Sequence, residues 1–285
     1  SYDYDALLTE AGDVTPKYYA VRNVIKKYVD TPLPSVPANR PKKAYGKFLL
    51  TQKTGLFANL NNISKPIKSE IPKNMEKYGI GYGYIAYETV LNREYIDAVL
   101  SLESLGDRAH VYLNHNLIGI LYINEDLSIK INAQKGDTLT ILCENMGRAN
   151  FGPKMMRKKG IAGRCLIDGK IHFNWNVYPL PMDNLSNLDF SENQFNEKTE
   201  FYKGSVDIDE PYDTFLKLEN FKKGFVTING FNIGRYWEIG PQKTLYVPKS
   251  ILQKGENEFI VFESDGLKGI PQIELCDIHD LGENN

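Results

Sequence analysis

Lys223-Gly224-Phe225-Val226-Thr227-Ile228-Asn229-Gly230-Phe231-Asn232-Ile233-Gly234-Arg235-Tyr236-Trp237 reads as two strands around a tight turn. Phe225 to Ile228 is a β-branched and aromatic run, which suits a pleated, half-buried surface. Asn229-Gly230 is the strongest short hairpin signal, because both residues tolerate positive φ in a type I′ turn. Ile233 to Trp237 is then the return strand. The same design recurs in Ala109 to Gly119, with Asn114 over Asn229 and Gly119 over Gly234, each pair 115 positions apart. A second echo sets Lys135-Gly136-Asp137 and Cys143 to Gly147 over Lys254-Gly255-Glu256 and Phe262 to Gly266, 119 positions apart. Two echoes at nearly one spacing predict an internal duplication of a domain-sized β unit. Glu144 and Glu263 align in that echo, which predicts one structural task repeated near a strand end.

The 285 residues suit two domains, and 42% hydrophobic content is enough for packed cores. Net charge is −2, which argues against a nucleic-acid partner or an anionic membrane surface. No apolar run reaches membrane-spanning length, so a membrane partner is not expected either. Cys143, Cys165 and Cys276 are an odd number at wide spacing and form no CxxC pair. They read as reduced thiols, pointing to a reducing compartment, with neither a zinc ribbon nor a disulfide framework. The chain opens at Ser1 without Met or a leader-like stretch, and it reads as a fragment, a processed chain or an engineered segment. Missing targeting signals therefore leave localisation unknown.

Ser1 to Ala6 alternates in polarity and is expected to be a short strand. Thr15-Pro16 is a helix start: Thr caps, Pro fits the first helical position, and Asp13 suits the dipole. Tyr18, Val21, Val24, Ile25 and Tyr28 share one face at helical spacing. Thr31-Pro32 ends the helix, and Pro32, Pro34, Pro37 and Pro41 make a stiff linker. Ala44 to Leu50 reads as a strand, and Asn59 to Lys77 as loop. From Tyr78 onward strand and turn alternate at a spacing that suits a β-sandwich or jelly roll. Phe151 to Gly163 is basic and glycine-punctuated, and reads as a loop. A polar, asparagine-rich segment from Asp183 to Thr199 precedes a second β set that begins at Phe201.

Chemistry-bearing motifs are sparse. His110, His115, His172 and His279 lack metal-ligand spacing, and no metal site or cofactor is expected. There is neither a GxSxG nor a P-loop. Gly79-Ile80-Gly81-Tyr82-Gly83 leads into a strand, which excludes a dinucleotide loop. Glu88, Glu103, Glu144 and Glu263 fall at strand positions, and no pair of carboxylates reads as an acid/base couple. The 18 tyrosines suit core and edge packing, or platforms on which a sugar ring stacks. Arg235, Tyr236 and Trp237 follow the hairpin and are read first as packing, second as a ligand or interface surface. Asn62-Ile63-Ser64 and Asn184-Leu185-Ser186 fit the glycosylation pattern and are read as chance matches.

Several motifs, in order, resemble the β-galactosidases of glycoside hydrolase family 35. They are Ser1-Tyr2-Asp3-Tyr4-Asp5-Ala6 with Glu10-Ala11-Gly12-Asp13, Lys17-Tyr18 and Val21-Arg22-Asn23; Ala44-Tyr45-Gly46-Lys47; Glu144 to Arg148 with Asn150-Phe151-Gly152; and Gly230 to Trp237 with Gly240-Pro241-Gln242. The resemblance implies a mainly β chain. Residues 1–30 would be the last strand and helix of a TIM barrel, and 31–46 a Pro-rich linker. Two tandem galactose-binding-like jelly-roll β-sandwiches would follow at 47–180 and 181–285. Apart from the resemblance, Ala44 to Leu50 follows the Pro-rich strap and is expected to complete the sheet of the second. The family is a retaining exo-β-galactosidase that uses two glutamates. Both lie on earlier barrel strands, so no catalytic residue is expected here and the chain alone is expected to be inactive. The one substrate-binding position that carries over is Tyr4, at the strand end where barrel sites are built. Leu7 stands where the family usually has Pro, a difference confined to the loop. The partners implied are a β-galactoside or galacto-oligosaccharide acting through the whole enzyme, the missing part of the barrel, and a homo-oligomer. The rival reading is a pair of galactoside-binding modules.

Overall fold

The computed structural model describes residues 6–191 and 197–282. The chain divides into two compact units, residues 54–198 and residues 1–53 with 199–285. Both are built from antiparallel strands, and the chain is mainly β as expected. The expected barrel-remnant strand falls largely on residues outside the described ones.

Among the described residues, the unit of 54–198 has a six-stranded sheet. Its spatial order is Ile67–Ser69, Trp175–Leu180, Tyr84–Val90, Thr138–Glu144, Arg108–Leu113 and Asn116–Tyr122. A four-stranded sheet faces it, ordered Lys170–Ile171, Cys165–Ile167, Tyr95–Leu102 and Ser128–Ala133. Alternate residues point inward: Ile85, Tyr87, Val111, Ile141 and Val177 from the first sheet meet Leu100, Ile131 and Ile167 from the second. Burial pushes the Cys143 thiol well up and the Cys165 thiol up to about 12, so both are inert protonated groups.

The other unit repeats the plan. Its five-stranded sheet runs Phe231–Trp237, Lys223–Ile228, Gly255–Glu263, Glu200–Ile208 and Gln52–Gly55. Its four-stranded sheet runs Gly46–Leu49, Gln272–Cys276, Thr214–Lys217 and Thr244–Val247. Gly46–Leu49 thus joins the later β set, with Gly46 opposite Leu275 and Leu49 opposite Gln272. Tyr45 fixes the strap ahead of it, its hydroxyl donating to the Glu210 carbonyl at 2.8 Å.

The duplication read from the hairpin is visible in the ladders. Asn229 and Gly230 have φ of 51° and 79°, and Asn114 and His115 have 48° and 64°. Val226 pairs with Gly234 and Val111 with Gly119, each beside a bulge at the same step. Lys223 opposite Trp237 repeats Arg108 opposite Tyr122, and in both the cation lies over the ring, at 4.2 Å and 5.2 Å. Replacing Gly230 by Val forces a β-branched residue into the left-handed region, at a cost of about 1–2 kcal/mol. Urea unfolding of G230V should show that loss, and a change under about 0.5 kcal/mol would rule out the turn as a register determinant.

The Glu144–Glu263 echo needs correction. Glu144 lies opposite Arg108, whereas Glu263 lies opposite Gly224, the counterpart of Ala109. A slip of one residue sends a side chain to the other face of a sheet. Glu144 therefore points away from the core beside Arg108, while Glu263 points inward with Val261 and Phe259. The two carboxylates do not share a task.

Two further expectations change. Asn59 to Lys77 holds the end of a helix, Leu56–Ile63, a short strand, Ile67–Ser69, and a 3-10 turn, Met75–Tyr78. Leu56, Phe57 and Leu60 are buried, and Phe57 meets Tyr112 edge-on at 4.8 Å. Gly55 offers no side-chain cap, so the Glu197 carboxylate caps the helix instead, accepting the Phe57 N–H at 2.9 Å. Asn59 is buried, donates to Thr54 Oγ1 at 2.8 Å, and accepts the Asp189 N–H at 2.7 Å. These bonds hold residues 181–191 and 197–198 to the unit of 54–198 rather than to the later β set. The Phe151 to Gly163 loop likewise contains a 3-10 turn, Pro153–Met156, and a two-residue strand, Gly160–Ile161.

The helix Pro16–Ile25 starts at Thr15, whose hydroxyl accepts the Tyr18 N–H at 3.4 Å. None of its residues is buried, and Tyr19, Val24 and Ile25 are exposed. Arg22 ties it to the Pro-rich strap by donating to the Pro34 carbonyl at 2.5 Å.

Candidate functional site

Tyr4 lies outside the described residues. The four sequence-singled glutamates are dispersed, each in its own setting. Glu103 is paired with Arg164, Nε to Oε1 at 2.6 Å, which holds its carboxyl below the usual range. Glu88 is pushed up by partial burial, and hydrogen bonds from Asn176 and Tyr178 oppose that rise. Glu144 lies within 3.7 Å of Arg108 in a fully buried pair. Glu263 is buried and pushed up to about 7 by loss of water, despite accepting the backbone N–H groups of Lys222 at 2.6 Å and Asp265 at 2.7 Å. Its cross-strand neighbour is Glu200, also buried, which accepts from the Tyr202 hydroxyl and pairs with Lys53 at 2.9 Å. That carboxylate pair is invisible to motif reading, because register alone brings positions 200 and 263 together.

A concavity lies beside the hairpin. A groove of about 580 Å³ is lined by Ile228, Asn229, Phe231, Ile233, Tyr246, Pro248, Ser250 and Ile251, with Glu10 from the segment ahead of the first helix. Its walls are locked. The Asn229 amide donates to the Ile251 carbonyl and to Asn257 Oδ1, both at 2.9 Å, and its oxygen accepts the Glu258 N–H at 3.0 Å. Tyr246 donates to Asp213 at 3.0 Å, and Asp213 also accepts the Lys249 N–H at 2.8 Å. Burial and that carboxylate push the Tyr246 phenol up to about 12. Phe231, one of the lining residues, is 59% exposed. Arg235, Tyr236 and Trp237 are not part of the groove. The Tyr236 hydroxyl instead donates to the Phe262 carbonyl at 2.8 Å, and the Trp237 ring covers Lys223. Among the described residues no three His, Cys, Asp or Glu side chains are grouped as metal ligands would be.

Residues 72–181 match the family model of the β-galactosidase first all-β domain, and residues 200–257 that of the β-galactosidase galactose-binding domain. The chain is a C-terminal part of the β-galactosidase family. It is 36% identical to β-galactosidase 1 of Dictyostelium discoideum over 93% of its own length, and 37% identical to the β-galactosidase of Bos taurus over 97%. It is 38% identical to the human β-galactosidase-1-like protein 2 over its full length. It spans under half of each relative: 44%, 48% and 46% respectively. The two matched segments fall one in each compact unit, so each unit carries one of the two matched domains.

Proposed function

We infer that this chain is the non-catalytic C-terminal region of a retaining exo-β-galactosidase that hydrolyses terminal β-galactosyl residues. Both catalytic glutamates then belong to barrel strands outside the chain, with Tyr4 at the sugar pocket they line. The β units cover the barrel, shape its entrance or assemble the oligomer. The observation that carries this reading is the helix Pro16–Ile25. It has a sound cap and an apolar stripe, yet no buried residue and exposed Tyr19, Val24, Ile25 and, just beyond it, Tyr28. An amphipathic helix draws its stability from the surface it packs on. The last helix of a barrel would find that surface in the strands and helices preceding it.

The test is turnover of a chromogenic β-galactoside. The 285-residue chain alone should give none above a mock preparation, and co-expression with a barrel segment from a relative should restore it. Clear turnover by the purified chain would refute the non-catalytic reading. A second reading, a galactoside-binding module pair, is favoured by one observation, the groove at the Asn229-Gly230 hairpin.

A further inference from the structure

We propose that the loop from Arg148 to Lys158 is the surface by which the unit of residues 54–198 docks on the part of the enzyme that this chain lacks. Phe151, Met155 and Met156 enter an apolar depression on that partner, and Lys154, Arg157 and Lys158 meet acidic side chains around it. The partner's identity rests on the reading above. Three features of the loop carry the rest.

The first is exposure. Phe151 is 90% and Met156 80% exposed, and Met155 is exposed beside them. Single apolar side chains on a surface are ordinary, whereas three between positions 151 and 156 make a patch. Phenylalanine and methionine are also residue types that interfaces favour, because a flat ring and a flexible thioether fill a partner's hollows.

The second is rigidity. Arg148 donates to Glu76 Oε1 at 2.8 Å and to the Gly81 carbonyl at 3.2 Å. At the far end the Lys159 ammonium pairs with Asp107 at 2.6 Å. Between them lies the 3-10 turn Pro153–Met156, where the Met155 N–H donates to the Gly152 carbonyl at 3.2 Å. A loop held in this way presents its side chains without first having to be ordered, which lowers the cost of docking.

The third is charge. From Met146 to Gly163 the cations are Arg148, Lys154, Arg157, Lys158 and Lys159, and there is no Asp or Glu. Arg148 and Lys159 are paired within the unit. Lys154, Arg157 and Lys158 join no ion pair among the described residues. Three free cations around an apolar patch fit a partner face of opposite sign, which steers the approach and fixes the register.

A large neighbour suits these features. The chain spans 44% to 48% of the relatives named above, so more than half of each lies outside it. The helix Pro16–Ile25, in the other unit, likewise has no buried residue. Each unit thus leaves an apolar surface without cover.

The test is capture. The tagged 285-residue chain is co-expressed with a barrel segment from a relative, and the barrel retained with it is quantified. Wild type should retain it, and severalfold less as salt rises from about 50 to about 300 mM. F151D/M156D should retain about tenfold less, with a melting temperature close to wild type because both side chains are exposed. K154E/R157E/K158E should retain severalfold less. I96D, which charges another exposed apolar side chain of the same unit, should retain as much as wild type. Retention by F151D/M156D at the wild-type level overturns the proposal, as does no retention by wild type, or an equal loss in I96D. A dimer of the chain alone that F151D/M156D dissolves would assign the loop to a second copy and overturn it too. Turnover by the chain alone would refute the non-catalytic reading, and capture would still decide the loop. Restored turnover with full retention in F151D/M156D would refute the loop without touching that reading.

Discussion

Replacing Lys159 by Met is expected to destabilise the unit of residues 54–198 by about 3–5 kcal/mol. Lys159 is 4% exposed, and its ammonium lies 2.6 Å from Asp107 Oδ2, itself in a residue 8% exposed. Asp107 Oδ2 also accepts the Met146 N–H at 2.8 Å. With the ammonium gone, a buried carboxylate keeps one neutral donor and little water. That is the situation in which breaking a buried pair costs far more than the pair contributes. The backbone around Lys159 adds to the effect. Its N–H donates to Glu76 at 3.3 Å, Glu76 is held by Arg148 at 2.8 Å, and its carbonyl accepts the Met75 N–H at 2.8 Å. Together these bonds anchor both ends of the segment from Arg148 to Lys159. Urea unfolding of K159M should show the loss, and the double variant D107N/K159M, which removes both charges, should recover part of it. A single-variant cost below about 1 kcal/mol would show that water reaches Asp107 and that the pair behaves like a surface bridge.

The parts of this fold that were readable in advance are those fixed by residues adjacent in sequence. Asn229-Gly230 forces its turn through two backbone angles, and Thr15-Pro16 starts its helix through one hydroxyl and one ring. The duplication was readable because it repeats those local signals. The helix Leu56–Ile63 was hidden for the opposite reason. Its cap, Glu197, lies 140 residues from Phe57, and the asparagines that suggest a loop include Asn59, which is buried and bonded across 130 residues to Asp189. The Glu144–Glu263 echo misled because residue similarity survives a one-step slip of register while side-chain direction does not. The groove drew no notice because Glu10, Phe231, Tyr246 and Ser250 share no motif. Phe231 did lie within the opening stretch, but its sequence neighbours Arg235 to Trp237, read as the ligand candidates, turned out to be occupied by the sheet itself.

Glu263 gives the second large effect, a loss of stability as pH rises through neutrality. Its carboxyl points into the core end of the five-stranded sheet, is pushed up to about 7 by burial, and is fully buried by surface area. The groups that face it are the backbone N–H groups of Lys222, Lys223 and Asp265, the Tyr236 hydroxyl at 3.2 Å, the Asp265 carboxylate, and Glu200 across the ladder with its partner Tyr202. The N–H donors favour the charged form, and burial and the neighbouring carboxylate disfavour it. Burial is the larger effect. In the unfolded chain the same group titrates near 4.5. Because the folded value lies above the unfolded one, its contribution to stability is fully present below about pH 4.5 and is lost as pH rises through about 7. The span between those values corresponds to about 3 kcal/mol as an upper bound. Urea midpoints for the unit of residues 1–53 and 199–285 should therefore fall between about pH 5 and about pH 8. E263Q should start lower, because its amide nitrogen faces N–H donors, yet should vary less across the same interval. If wild type and E263Q share one pH slope, Glu263 is ionised throughout, and the core end of this sheet is wetter than its burial implies.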